Sequence, residues 1–262
     1  MSKAPIKVAG KFGLKPYVEG SIKFKFRDYL EETQLPVLPR QFGHVGNRPP
    51  VPGGWGMMGN DQHGDCVMAG AAHETMLYAL ATRRPVPRFS TATVVRQYLT
   101  LTGGGDDGLD AVVAANWRRK TGIADDTGTI HKIEAYALIT EPSDLFMATY
   151  LFGAAGIGVC LPDNADWYFG RGHAWSDTRQ EPNKAHGHYM AVFGRNSAGN
   201  IVLGTWGNLQ AATVPWIERY MMVGVAYFSL EYLMANNLSP ELINRDALIA
   251  DLSALPSAQQ IG

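Results

Sequence analysis

The chain has 262 residues, a formal net charge of -1 and 18% charged residues, which describes a soluble globular protein long enough for a full core. Near-neutral charge argues against a general nucleic-acid or membrane-surface binder, and no apolar run is long enough to span a bilayer. Met1-Ser2-Lys3-Ala4-Pro5 lacks an apolar signal core, so the expected location is the cytoplasm, where Cys66 and Cys160 stay reduced.

Residues 1–53 read as a Pro-rich N-terminal arm, with one short strand expected at Ile22-Lys23-Phe24-Lys25-Phe26 from its alternation. Residues 54–235 read as one domain, and 236–262 as a C-terminal helix opened by Ser239-Pro240 and followed by a tail. Inside the domain, a helix runs from Cys66 to about Thr82 and ends at Arg83-Arg84-Pro85. Its Ala and Gly content predicts packing on several sides. His73 falls on nearly the same face as Cys66 and reads as a histidine packed one layer below it. Thr91–Leu101 and Leu109–Lys120 read as two further helices, the second with Trp117 on its apolar side and Gly122 as its stop. Ile130–Leu138 is a strand or short helix. Pro142 opens another helix, with Ser143 or Asp144 as cap. Gly156–Leu161 is an apolar strand that buries Cys160. His188–Gly194 and Asn200–Gly207 form a hairpin around Arg195–Gly199. Pro215-Trp216-Ile217 suggests a turn and Val223–Ser229 a last strand. Early helices followed by hairpin strands predict an α+β fold.

The stretch Gly59-Asn60-Asp61-Gln62-His63-Gly64-Asp65-Cys66 delivers a cysteine to a helix N-terminus. Unpaired backbone N–H groups and the helix dipole there favour the thiolate, which is the nucleophilic form. On the cysteine alone, a small buried core residue is the competing reading. Downstream, His188 opens a strand with Gly194 six residues on, and Thr205-Trp206-Gly207 closes the next strand.

This order resembles the papain-like cysteine peptidase superfamily. The motifs concerned are a Cys at the start of the central helix, an amide side chain six residues earlier, a His opening a strand, and Trp-Gly on the next. The resemblance implies a two-lobed fold in which a central N-terminal helix carrying Cys66 packs against a C-terminal antiparallel β-sheet or half-barrel. It implies Cys66 as nucleophile, His188 as base, Asn60 as oxyanion donor with Gln62 as alternative, and Trp206 as a shield over the pair. Gly104, Gly105, Gly64 and Asp65 would line the substrate cleft. Two departures stand out. Asn60 replaces the family's Gln, and Gly204 stands where the family has its orienting Asn, which leaves Thr205, Asn208 or Gln210 for that role. Gly-Asp-Cys is similar to peptidases that process bacterial peptide leaders. The Gly-Asn-Asp-x-x-Gly-Asp-Cys motif also resembles uncharacterised bacterial and phage-encoded papain-like proteins.

The resemblance implies a cysteine-dependent hydrolase, peptidase or amidase, acting on a peptide or protein substrate without a cofactor, nucleic acid or membrane. Asp65 beside the cysteine opposes a thiolate unless it turns away. Two other readings remain. One is a catalytically inactive papain-like scaffold serving as a binding protein or, if phage-encoded, in a virion; a cleft filled by the N-terminal arm favours that scaffold or a zymogen. The other is a zinc site drawn from His63, Asp65, Cys66, His186 and His188.

Overall fold

The computed structural model describes residues 10–30, 35–46, 53–229 and 232. The expected C-terminal helix lies outside them, as do Pro49–Pro52 of the arm. Among the described residues no helix is long and apolar enough to cross a membrane.

The arm enters the core directly. Ile22 and Phe26 are buried and Lys23 and Lys25 exposed. The alternation is therefore real, but only Lys25 bridges a strand, at Leu138. The chain then tightens into a 3-10 turn at Phe26–Tyr29 instead of extending as the expected strand. Further on, β1 (Phe42–Gly43) joins the sheet.

Three helices follow. α1 spans Cys66–Ala81, and every residue from Cys66 to Ala79 is buried. Such burial requires small side chains, because each neighbour must approach the backbone. At Gly70 an added Cβ would lie 2.5 Å from the Tyr189 ring. α2 (Thr91–Leu101) is capped by Ser90, whose hydroxyl accepts from Thr93 N–H. α3 (Ala111–Lys120) is capped by the Asp110 carboxylate, bonded to the Val112 and Val113 N–H groups at 2.7 and 3.1 Å.

Short β2 (Ile123–Ala124) and β3 (Ile130–His131) pair with each other. The main sheet is antiparallel, in the order β4-β9-β5-β6-β7-β8, with β1 beside β6. Its strands are β4 (Ala135–Ile139), β5 (Ala155–Cys160), β6 (Gly187–Arg195), β7 (Ile201–Thr205), β8 (Asn208–Ala212) and β9 (Met221–Phe228). α4 (Pro142–Phe152) packs on β9 and β6, and α1 lies across β6. Short α5 (Ala165–Gly170) and α6 (Val214–Tyr220) complete the fold. Helices come first and the antiparallel sheet last, with Cys66 at the head of the central helix.

Several local differences have physical causes. Asn200–Gly207 is not one strand: Trp206 and Gly207 take φ of +47° and +73°, the signature of a two-residue hairpin loop. They turn β7 back into β8, with Thr205 opposite Asn208. A left-handed Trp costs about 1 kcal/mol. The turn expected at Pro215 is α6, because Thr213 caps it and Pro215 occupies its first turn. Ser143 and Asp144 do not cap α4; both are held by Arg27, with Arg27 Nη2 2.9 Å from Asp144 Oδ1. In α3 the buried face carries Arg118, 3% exposed, while Trp117 is half-buried. Arg118 Nη1 donates to Glu74 of α1, which is fully buried.

Removing one partner of a buried ion pair strands the other charge, a cost of about 3–5 kcal/mol. Arg118→Met is accordingly expected to lower urea-unfolding stability by about 3 kcal/mol. A loss below about 1 kcal/mol would show that Glu74 finds another partner or a proton.

Candidate active site

The start of α1, the start of β6 and the end of β7 meet around a cavity of about 10 Å³, enough for one water at most. Asn60, Cys66, His73, His188, Thr205 and Trp206 line it.

Cys66 is 1% exposed. Burial pushes its thiol up to about 12, and Asp65 adds to this; the nearby backbone N–H groups of Tyr189, Gly13 and Val67 work against it. His188 is equally buried, and burial drives its pKa down to about 3. At neutral pH the two are therefore a thiol and a neutral imidazole, both held uncharged by exclusion of water.

The imidazole is fixed on two sides. Its Nε2 lies 2.6 Å from Thr205 Oγ1, and Trp206 stacks on the ring at 4.8 Å between centroids and 27° between planes. Nδ1 is buried and makes no hydrogen bond. When Nε2–H donates to Thr205, Nδ1 carries the free lone pair, the form a general base needs. His73, one layer below, bonds through Nε2 to the Trp55 carbonyl at 2.9 Å.

Asn60 Nδ2 donates to the carbonyl oxygens of Lys11 at 3.1 Å and His63 at 3.2 Å. Gln62 is exposed on the same turn, and Asn208 is exposed on β8. Gln210 is buried, but its amide is used by the His173 and Ala211 carbonyls. Asp65 precedes α1 without capping it. Both its carboxylate oxygens are buried without a hydrogen bond. Burial raises its pKa to about 7, partly offset by the nearby Asn60 amide.

The cleft over this cavity is occupied by the arm. Lys11 N–H donates to Asn60 O at 2.7 Å, Leu14 N–H to Gly187 O at 3.0 Å, and Lys15 N–H to Leu109 O at 3.1 Å. Leu109 N–H donates back to Gly13 O at 2.7 Å. Leu14 runs parallel to Leu109 and packs its side chain where a Cβ on Gly158 would lie, 2.4 Å from Leu14 Cδ2. Gly13 sits so close to Gly64 that an added Cβ would be 1.8 Å from Gly64 O. Gly10 covers the unpaired Trp206 Nε1. Lys11 Nζ is 3.1 Å from Asp106, which also accepts from Gly64 N–H and Tyr98 OH.

Of the glycines expected along the cleft, Gly64 touches the arm. Gly104 and Gly105 turn through the loop after α2, and a Cβ on Gly104 would meet open space. The glycine against the arm on that side is Gly108, where a Cβ would lie 2.3 Å from Gly13 O. The sequence reading missed Gly13, Leu14, Gly108 and Leu109. Their contacts are main-chain ones, and the available hint was the pair of glycines in Gly10-Lys11-Phe12-Gly13.

The zinc set is dispersed. His63 Nδ1 faces Asp106 at 3.3 Å, and His186 faces Asp163 at 3.4 Å and stacks on Phe12 at 4.3 Å. Among the described residues no group of three or more His, Cys, Asp or Glu side chains could hold a metal.

No protein-family model and no curated protein matches the sequence. Solved structures do match its fold. Xylellain, a cysteine protease from Xylella fastidiosa, aligns over 88% of this chain and 99% of its own with a TM-score of 0.61 at 12% identity. Procathepsin B S9 from Trypanosoma congolense covers 85% of this chain and 88% of its own (TM-score 0.58, 12% identity). Procathepsin L 3 of Tenebrio molitor larval midgut covers 85% and 77% (TM-score 0.54, 13% identity). The fold is papain-like. In this version of it, Asn is sterically excluded from position 204, since a Cβ there would lie 2.0 Å from Phe193 Cε2.

Two outcomes follow. Gly13→Ala cannot seat beside Gly64, so iodoacetamide is expected to label Cys66 at least about ten-fold faster than in the unaltered chain, a cleft-closing energy of about 1.4 kcal/mol. Equal rates, by mass spectrometry of the labelled peptide, would show that the arm does not limit access. Gly204→Asn overpacks Phe193 and is expected to cost about 1–3 kcal/mol in stability without raising Cys66 reactivity. A stable and more reactive Gly204→Asn would show that the β6–β7 contact yields easily.

Proposed function

We propose that this chain is a cysteine-dependent hydrolase of peptide or other amide bonds, present here in a latent form. One arrangement carries the reading: a helix-N-terminal Cys66 and an oriented His188 share a single cavity, and a carbonyl of the chain's own arm already rests on the Asn60 amide.

With the arm lifted, water reaches the pair and the penalty on its charged form falls. His188 Nδ1 takes the Cys66 proton, giving a thiolate–imidazolium pair. The sulfur attacks the substrate carbonyl carbon. The oxyanion is held by the Cys66 backbone N–H, one of the unpaired donors of the first helical turn, and by the Asn60 N–H that Lys11 O now occupies. The C–N bond breaks as imidazolium protonates the leaving amine. His188 then takes a proton from water, whose oxygen attacks the thioester, and the thiol leaves reprotonated. Thr205 on Nε2 leaves the Nδ1 lone pair free for the thiol proton, and Trp206 stacked on the ring keeps bulk water off it.

The latent state follows from the arm's seat. Gly13 lies against Gly64, two residues before Cys66, and the Lys11 carbonyl occupies the Asn60 amide, so the arm fills the place a substrate carbonyl would take. Main-chain bonding of Lys11–Lys15 supports a cleft that takes an extended peptide, and the recess holding Leu14 by Gly158 and Val223 suits a branched apolar side chain.

A second reading, a permanently closed scaffold, draws on the same burial of Cys66 and His188. Turnover separates the two. In the Gly13→Ala chain, cleavage of a peptide library is expected, absent in Cys66→Ala, lowered about a hundred-fold in Asn60→Ala and about ten-fold in Thr205→Val, with Thr205→Ser near parental. No cleavage in any Gly13→Ala preparation whose Cys66 labels readily would favour the scaffold.

A further inference from the structure

Beneath the cleft lies a second polar cluster that the reaction does not touch. Glu74, Tyr78, Arg118, Tyr189 and Tyr227 are all at most 3% exposed. Glu74 Oε2 accepts from Arg118 Nη1, and Glu74 Oε1 accepts from Tyr189 OH at 2.8 Å. The Tyr189 and Tyr227 hydroxyls are 2.7 Å apart, and the Arg118 guanidinium lies over the Tyr227 ring at 4.3 Å. The members come from α1, α3, β6 and β9. Two of these carry the reacting pair: Glu74 lies about two turns along α1 from Cys66, and Tyr189 follows His188 on β6.

A buried ion pair is poor evidence for stability, because desolvation cancels much of the attraction. What it supplies well is one allowed arrangement, since any slip leaves a charge or hydroxyl unpaired in a dry interior. Tyr189 is in the position to transmit that constraint. Its ring is clamped between α1 and β5: a Cβ on Gly70 would lie 2.5 Å from Cδ1, and one on Gly156 1.7 Å from the hydroxyl. Its hydroxyl is tied to Glu74 and Tyr227, and the residue itself lines the cavity that Cys66 and His188 share. The same residue thus joins α1 below to the cavity above. Gly158 opposite it in β5 and Val159 opposite His188 hold the strand's other edge.

We infer that Tyr189, anchored by Glu74, Arg118 and Tyr227, is a positioning residue that fixes β6 against α1 so that Cys66 and His188 keep to their shared cavity. The inference rests on Cys66 being the nucleophile, but it is read through the sulfur and not through turnover.

The test is the pH titration of the Cys66 ¹³Cβ chemical shift in full-length Gly13→Ala chain, which senses the thiolate without a reagent entering the cleft. Tyr189→Phe keeps the ring and removes the anchor. Its thiol midpoint is expected to rise by about one unit, with about ten-fold slower alkylation at pH 7. Tyr227→Phe, which leaves the bond to Glu74, is expected to move the midpoint the same way by less. If Tyr189→Phe does not fold, Tyr227→Phe decides the question. A lowered melting temperature with an unmoved thiol midpoint would overturn the inference and leave the cluster a purely structural one. His188→Ala is titrated in parallel. If it leaves the midpoint at the parental value, the Cys–His reading fails, while the Tyr189 result still reports on how β6 is held against Cys66.

Discussion

A helix buried on every side can be built only from residues that let their neighbours come close, and the site depends on α1 meeting that condition. Cys66, Ala69, Gly70, Ala71 and Ala72 stand in its first two turns beside Val67 and Met68. Gly70 admits the Tyr189 ring, so β6 lies directly on the helix. The strand that touches α1 this closely begins at Gly187-His188. Packing of small residues therefore carries a histidine to a cysteine more than a hundred positions earlier in the chain. The β7–β8 hairpin then places Thr205 on the imidazole edge and Trp206 on its face, at the cost of a left-handed Trp.

The same close packing sets the electrostatics. Cys66 and His188 are both driven toward their neutral forms by burial, and part of that burial is the arm, through Gly13 against Gly64 and Phe12 at the ring edge. On the proposed reading, the latent and competent forms differ by the seating of one extended segment. That segment is held mainly by main-chain hydrogen bonds and one exposed ion pair, Lys11–Asp106, which by itself contributes little. The tight fit of Gly13 against Gly64 is the more exacting requirement, because no other residue type fits there.

Much of this was legible in the sequence. Helix boundaries at Cys66 and Thr91 could be read from small-residue content, capping and breakers, and the Cys, His and Trp-Gly order pointed to residues that the structure brings to one cavity. Other features left no such trace. β8 was hidden because a Trp at positive φ does not read as a turn. α6 was hidden because Pro215, which opens a helix, reads equally as a breaker. The Arg118–Glu74 pair was hidden because it spans two helices and has no local pattern. The arm's seat on the cleft is written in backbone bonds, to which side-chain chemistry contributes only glycines. The absence of Asn at 204 was visible; its cause, the Phe193 ring, was not.

The most direct measurement is the intact mass of the Gly13→Ala chain after brief treatment with E-64, an epoxide that reacts with papain-type thiolates, beside Cys66→Ala and His188→Ala versions of the same chain. A single adduct that is lost in both versions is the predicted result, and it would mean that an open cleft turns the buried thiol into a His-dependent nucleophile. No adduct, in a chain whose Cys66 still reacts with iodoacetamide, would contradict the account and leave a papain-like scaffold whose cysteine is accessible but unactivated.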